Sequence, residues 1–282
     1  MDKVALFDGN LISLAYLGEL DHFHFVGVPG DSVLVAFLSR IQSLNQLLWS
    51  RLRKWIYAFI FVKPKLINPN SISPDSLIEL VATELRSGMV VALATDTVFG
   101  LIGCVANCAA LESIISIKGR DRSAPMPVII GDRSQLSQLV LTDVSNDPNL
   151  SRMVDRFWPG PLTVILPVRK QSVCKRFFPG STVGIRFPND SRLQAIAMRA
   201  GPVVATSANQ HGRPVLTCGQ DVMEILGSDA NEMGLSLVLD ENAKSELAST
   251  VIEVSSTDLH VLREGTISGH ALAKVFGLAE QE

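Results

Sequence analysis

Residues 89–101 read MVVALATDTVFGL. The first six are small, apolar and uninterrupted, the pattern of a short strand buried on both faces. The strand runs straight into Thr95-Asp96-Thr97, a carboxylate between two hydroxyls, and then into Phe99 and Gly100. A turn needs less than this, since one or two Gly, Asn or Asp residues suffice. Polar side chains gathered where a buried strand ends mark the region in which open α/β sheets hold ligands.

The flanking sequence supplies the rest of such a sheet. Upstream, SPDSLIELVATELRSG (73–88) has a cap at Ser73, proline at the first helical position, acids in the first turn and Gly88 as a stop. Downstream, helices are expected over 109–119, ending at Gly119, over 132–140, over 149–160, stopped by Pro159-Gly160, over 191–201 and over 218–227. Strands are expected at PVII (127–130), LTVILPV (162–168), TVGIRFP (182–188), PVVATSA (202–208), LSLVLD (235–240), STVIEV (249–254) and LHVLREG (259–265). Helices and strands mix without a strict βαβ rhythm, so the expected fold is a mixed α/β domain of roughly 200 residues around one twisted sheet.

The first 70 residues are different in kind. Asp2, Asp8, Glu19 and Asp21 argue against a secretory or transit leader. Residues 32–62 read as helical, with Arg40, Arg51, Arg53 and Lys54 breaking the apolar runs. A basic amphipathic helix lying on a membrane or partner and a plain packing extension both fit that pattern. Lys63-Pro64-Lys65 and residues 68–71 are expected to form a linker, which divides the chain into an extension (1–70) and a globular domain (71–282).

Composition narrows the function. Of 282 residues, 47% are apolar and 19% charged, the balance of a filled core. The longest apolar run, WIYAFIFV (55–62), is too short for a spanning helix. Residues 1–70 carry 7 Lys/Arg against 5 Asp/Glu and the remainder 18 against 23, an acidic balance that weighs against a general nucleic-acid surface. Cys104, Cys108, Cys174 and Cys218 lack paired zinc spacing, which predicts free thiols in a reducing cytoplasm and no metal site. None of the five histidines, at 22, 24, 211, 260 and 270, falls in a triad pattern.

Besides 95–97, polar residues collect in KGRDR (118–122), WPGPLT (158–163), TSAN (206–209), Ser249-Thr250 and Arg263-Glu264-Gly265. Three cations at a glycine-ended helix suit phosphate oxygens, although the helix dipole alone attracts one or two. Neither GxxxxGK[ST] nor GxGxxG is present. Thr, Ser, Asn, Lys and Arg without an evident base suit positioning and charge stabilisation, the profile of phosphoryl or nucleotidyl transfer.

These clusters, in this order, resemble the YrdC/Sua5 family of L-threonylcarbamoyladenylate synthases. Family patterns close to PTDTVYG, KxRPxxxPL, WPGPLT, VGVR, SxN, PSTV and LRxG stand here as ATDTVFG (94–100), KGRDRSAPM (118–126), WPGPLT, VGIR (183–186), SAN (207–209), ASTV (248–251) and LREG (262–265). The resemblance covers 74–267 and implies a single YrdC-like domain, a twisted mixed sheet with flanking helices and a concave cavity, preceded by the N-terminal helical extension. With Glu282 about 17 residues past LREG, the chain resembles the short, single-domain members.

The resemblance implies ATP, with magnesium carried on it, L-threonine and bicarbonate as reactants. Threonylcarbamoyl-AMP and pyrophosphate would be the products, the adenylate passing to a transferase that makes t6A in tRNA. It places Lys118 and Arg120 as catalytic residues on the phosphates, with Thr182, Ser207, Asn209 and Arg263 on the nucleotide and Thr97, Arg186, Ser249 and Thr250 on the amino acid. Phe99 stands for the usual tyrosine, Ala94 and Ala248 for prolines, Asp121 for a proline after Arg120, and Ile129 for a histidine that contacts the amino acid. The competing readings are a non-catalytic RNA-binding or ribosome-assembly module of the same fold, and a carbamoyl-transfer domain of the hydrogenase-maturation type, whose zinc motifs are missing here.

Overall fold

The computed structural model describes residues 3–7, 10–16, 23–24 and 64–277, apart from 123, 125, 142–146, 179, 228–233, 246 and 256. The chain divides into two compact units, Met1–Trp55 and Ile56–Glu282. In the first, Lys3–Phe7 (β1), Asn10–Tyr16 (β2) and Phe23–His24 (β3) form a three-stranded antiparallel sheet. The helix expected over 32–62 lies outside the described residues.

Among the described residues the first element of the second unit is Lys65–Ile67 (β4), so Lys65, expected in a linker, opens a strand instead. Helix α1 follows (Pro74–Arg86), capped by Ser73, whose Oγ accepts from the Ser76 N–H at 3.2 Å. Then come β5 (Val90–Ala94), β6 (Phe99–Cys104) and α2 (Cys108–Lys118), which stops at Gly119 in the left-handed region with φ 58°. The middle of the chain supplies β7 (Val128–Ile129), α3 (Leu136–Leu139), α4 (Pro148–Phe157), β8 (Leu162–Pro167) and β9 (Thr182–Arg186). It closes with α5 (Ser191–Ala200), β10 (Val203–Ser207), α6 (Gly219–Ile225), β11 (Leu235–Leu239), β12 (Thr250–Val254), β13 (Leu259–Arg263) and α7 (Gly269–Phe276).

One ten-stranded mixed sheet results, in the order β13-β12-β8-β9-β7-β10-β6-β5-β11-β4. Strand β6, FGLIGC, was not expected, because two glycines depress strand propensity. Packing explains one of them. A Cβ on Gly103 would lie 3.0 Å from Ile114 Cδ1 and 3.3 Å from Ala110 Cβ, so the glycine lets α2 lie close on the strand.

Helices cover both faces of the β5–β10 region. Leu77, Val81 and Leu85 of α1 and Leu193 and Ile196 of α5 pack on Val91, Leu93, Ile102 and Val203. Leu111 and Ile114 of α2 join Val90, Ala92, Leu101, Val128 and Val204 in the other core. Toward β9, β8 and β12 the face shared by Thr163, Ile165, Thr182, Gly184, Arg186 and Val251 is left partly open. Ile165, Gly184 and Val251 are half-buried there, and Thr182 is exposed. Thr97, in the β5–β6 turn, nevertheless lies 3.0 Å from Arg186 at the end of β9, three strands away. Three strand spacings amount to about 14 Å, a gap that the long Arg186 side chain serves to bridge along this face.

The cysteine reading needs correction. Cys108 and Cys174 are joined, with a Cα–Cα distance of 5.3 Å, while Cys104 and Cys218 are free. A separation of 66 residues gave no sequence signal, because the pairing depends on a segment after β8 folding back on the start of α2. Closing a loop of that length restricts the unfolded chain by about 4 kcal/mol in the chain-entropy account. Urea unfolding should therefore show a lower midpoint for reduced than for oxidised protein. Coincident curves would mean the bond contributes nothing.

Candidate active site

Thr95, Asp96 and Thr97 are held by one another and by β9. Thr95 Oγ1 donates to Val98 O (2.8 Å), accepts from the Thr97 N–H (3.1 Å) and lies 3.0 Å from Thr97 Oγ1. Arg186 Nη1 donates to Thr97 Oγ1, and its Nη2 stands 3.0 Å from Asp96 Oδ1. That ion pair is close but not aligned as a hydrogen bond, so Asp96 Oδ1 lacks a hydrogen-bond partner, while Oδ2 accepts from the Asn189 N–H at 2.9 Å. Burial pulls the Arg186 guanidinium below its ordinary value, with Asp96 and Asp190 opposing the shift and Arg263 adding to it. Asp96 thus organises the turn and neutralises Arg186.

A second group abuts this one. Thr163 pairs across the sheet with Arg186, and its hydroxyl lies 2.8 Å from Ser249 Oγ. Arg263 donates to Ser249 O through Nε (3.2 Å) and Nη2 (2.8 Å), and to Ser249 Oγ through Nη2 (3.2 Å). A bulge aims that arginine. Ile252 pairs with Val261 but Val251 with Arg263, leaving Leu262 as an extra residue, 58% exposed. In a regular ladder Arg263 would face Thr250 on the packed side of β12; the extra residue moves it to the open face. Thr250, expected against the amino acid, is instead wholly buried. Its hydroxyl donates to Ile267 O (2.6 Å) and accepts from the Gly265 and Ile267 N–H groups (both 3.0 Å), so it holds the turn after Arg263 and has nothing left for a ligand. Gly265 is required there, since a Cβ would lie 2.2 Å from Ala248 O.

The third group gathers around the end of α2. Lys118 is 4% exposed and its ammonium donates to Ser207 O (2.6 Å), Asn209 O (2.9 Å) and Asn209 Oδ1 (2.9 Å). Ser207 Oγ also donates to Asn209 Oδ1 (2.7 Å), and Asn209 Nδ2 to Arg213 O (2.6 Å). All three lysine protons are committed, so Lys118 is the post around which the 207–213 loop is wound. Burial, and then the neighbouring Arg120 charge, lower its pKa to about 8. Arg120 is the opposite case: its Nε and Nη2 are buried without a hydrogen-bond partner, and burial pulls its guanidinium below its ordinary value. Unpaired buried N–H groups are costly, and an anion would satisfy them. Thr182 makes no side-chain bond to this group. Register sets it level with Ser207, because Ile129 pairs with both Arg186 and Val203.

Sequence reasoning missed Thr163, whose signal lay in the last residue of WPGPLT. It also missed the straps behind the site. Glu241 accepts from the Ala94 N–H (2.9 Å) and takes both Nη groups of Arg192 (2.6 and 2.8 Å), and Lys244 donates to Asp190 (2.6 Å). These tie the loop after β11 to the threonine turn and to the start of α5. Ile129, standing where the histidine was expected, is buried on β7 beside Arg186.

Residues 83–265 match the family model Sua5_yciO_yrdC, described as "Telomere recombination". The chain is 32% identical over 211 residues to the threonylcarbamoyl-AMP synthase of Bacillus subtilis, covering 72% of this chain and 57% of that protein. It thus spans less than three-fifths of that relative's length. Among solved structures, Pyrococcus abyssi Sua5 complexed with L-threonine superposes with a TM-score of 0.64 at 28% identity, covering 73% of this chain and 58% of that one. Escherichia coli YciO superposes with a TM-score of 0.60 at 23% identity, covering 71% of this chain and 93% of that one, a likeness of fold. With well over half of its length, residues 83–265, matched by the model, the chain belongs to the Sua5/YciO/YrdC family.

Proposed function

We propose that the chain is an L-threonylcarbamoyl-AMP synthase. The observation that carries this reading is Arg120, whose buried Nε and Nη2 have no hydrogen-bond partner and stand beside a lysine-held polar loop. The amine of L-threonine adds to carbon dioxide from bicarbonate to give a carbamate. A carbamate oxygen attacks the α-phosphorus of ATP, forming the mixed anhydride as the bond to pyrophosphate breaks. The chain's task is to hold the partners in line and stabilise charge on the phosphoryl oxygens.

In this reading Arg120 donates to the phosphates, while Lys118 positions Ser207 and Asn209 and adds its charge. Thr182, level with Ser207, and Arg263 border the nucleotide. Arg186 and Ser249 hold the threonine carboxylate, with Thr97 beside it. Magnesium, in this reading, travels with the ATP phosphates and needs no dedicated protein cage. The same reading includes transfer of the adenylate to a t6A-forming complex and at most weak RNA binding; the Cys108–Cys174 bond weighs against the reducing cytoplasm expected from free thiols. Among the described residues no helix is long and apolar enough to cross a membrane.

The test is turnover of ATP, L-threonine and bicarbonate, read as pyrophosphate and the adenylate. Absence of product together with salt-sensitive RNA binding would favour the non-catalytic module instead.

Lys118 also sets a pH dependence. Neutral above about pH 8, its amine keeps only two protons for three acceptors, so the 207–213 loop loosens and KM for ATP should climb from pH 8 to 9. Stability runs the other way. The pKa is lowered in the folded state, so between about 8 and the ordinary value the unfolded chain binds more protons. The contribution of Lys118 to stability therefore improves as pH rises through that window. A KM for ATP flat from pH 7 to 9 would refute the role given to Lys118.

A further inference from the structure

The hydroxyl of Thr95, on a residue only 2% exposed, bonds to protein groups, yet it determines what Thr97 can bind. Thr95 has one hydroxyl proton. Val98 O, 2.8 Å away, can only accept, so that proton goes to the carbonyl. The 3.0 Å contact between the two threonine hydroxyls must then be Thr97 donating to Thr95. Reversing it would turn two lone-pair oxygens toward each other at 2.8 Å in a buried position. Arg186 Nη1 also donates to Thr97 Oγ1. The chain of bonds therefore runs Arg186 to Thr97 to Thr95 to Val98 O, and Thr97 Oγ1 keeps one lone pair and no proton.

The opposite wall has the opposite polarity. Ser249 and Thr163 hold two protons between them, one of which is consumed in their mutual bond, so one remains to donate. The rest of the Arg186 fork adds further donors.

We propose that Thr95 is a specificity-determining positioning residue. By fixing the direction of this chain it makes Thr97 an acceptor for the α-amino N–H of the amino acid, while the Arg186 and Ser249 side takes the carboxylate. A carboxylate oxygen at Thr97 would meet a lone pair, so the amino acid enters in one orientation. This rests on the synthase reading and names how that site tells amine from carboxylate.

Calorimetry on the full chain tests it with L-threonine, with 3-hydroxybutanoate (which keeps the carboxylate and hydroxyl but lacks the amine) and with ATP. The unmodified protein should prefer threonine strongly. In Thr95→Val the Thr97 proton is released to turn either way, and the preference for threonine over 3-hydroxybutanoate should fall about tenfold with the ATP Kd unchanged. Thr95→Ser, which restores the hydroxyl, should restore the preference. That rescue separates the effect from a folding defect, which would weaken both ligands and ATP together. Thr95→Val with an unchanged preference, or Thr95→Ser that fails to recover it, overturns the inference and leaves the synthase reading standing. No threonine binding by the unmodified protein defeats both.

Discussion

Arg186→Met is expected to raise the KM for L-threonine about a hundredfold or more while ATP binding changes little. The guanidinium is buried, donates to Thr97 and faces Asp96, and a guanidinium carries more N–H donors than these contacts use, which suits it to a carboxylate. Truncating one member of a buried charged pair costs about 3–5 kcal/mol in stability, because the other charge is stranded. The single variant would thus mix a folding effect with a binding effect. Arg186→Met combined with Asp96→Asn separates them: the stranded carboxylate is gone, so the thermal midpoint should recover, but threonine affinity should not. Recovery of both would show that Arg186 serves the fold alone.

Arg120→Ala should lower kcat/KM for ATP by about a thousandfold, the scale seen when a preorganised donor to a developing charge is removed. Unlike Lys118, Arg120 spends none of the N–H groups at Nε and Nη2 on the protein, so the loss falls on the ligand. The fold should tolerate or welcome the change, since the variant removes two buried donor nitrogens that have no acceptor there. Arg120→Lys should recover little, as a single ammonium cannot replace two parallel donors. An alanine variant with ordinary rates would remove the phosphate role, whereas a loss confined to threonine affinity would move Arg120 to the other half of the cavity.

Local rules carried most of the elements. Ser73 with Pro74 and Gly119 bound helices through capping and left-handed geometry, which are readable within a few residues. Strand β6 escaped, because Gly103 is explained by the helix lying on it rather than by its neighbours in sequence. The short helix Gly269–Phe276 escaped too. It is capped by Ser268, and its Gly269 N–H is met by Glu264 Oε1 at 3.0 Å, so the acid of LREG serves a helix end.

For the site, residue types were legible and commitments were not. The threonine turn, the cations after α2, the SAN loop and the two strand ends were all marked by composition and order. What each side chain has left to offer depends on partners far along the chain. Lys118 is consumed by residues about 90 positions away (separations of 89 and 91), Thr250 by a turn 17 positions on, and Thr97 is oriented by Arg186 across 89 positions. The Cys108–Cys174 bond belongs to the same class.

By itself, then, the sequence determined most of the element types, their order and the chemical character of the site, because caps, periodicity and charge act over one or two turns of chain. Only the tertiary structure decided which donors remain unspent. The strand order set Arg186 within reach of Thr97, one bulged residue turned Arg263 to the open face, and the winding of the 207–213 loop consumed Lys118 while Nε and Nη2 of Arg120 stayed unpaired. Hydrogen-bond capacity is settled by counting protons and lone pairs in three dimensions, and no local pattern contains that count.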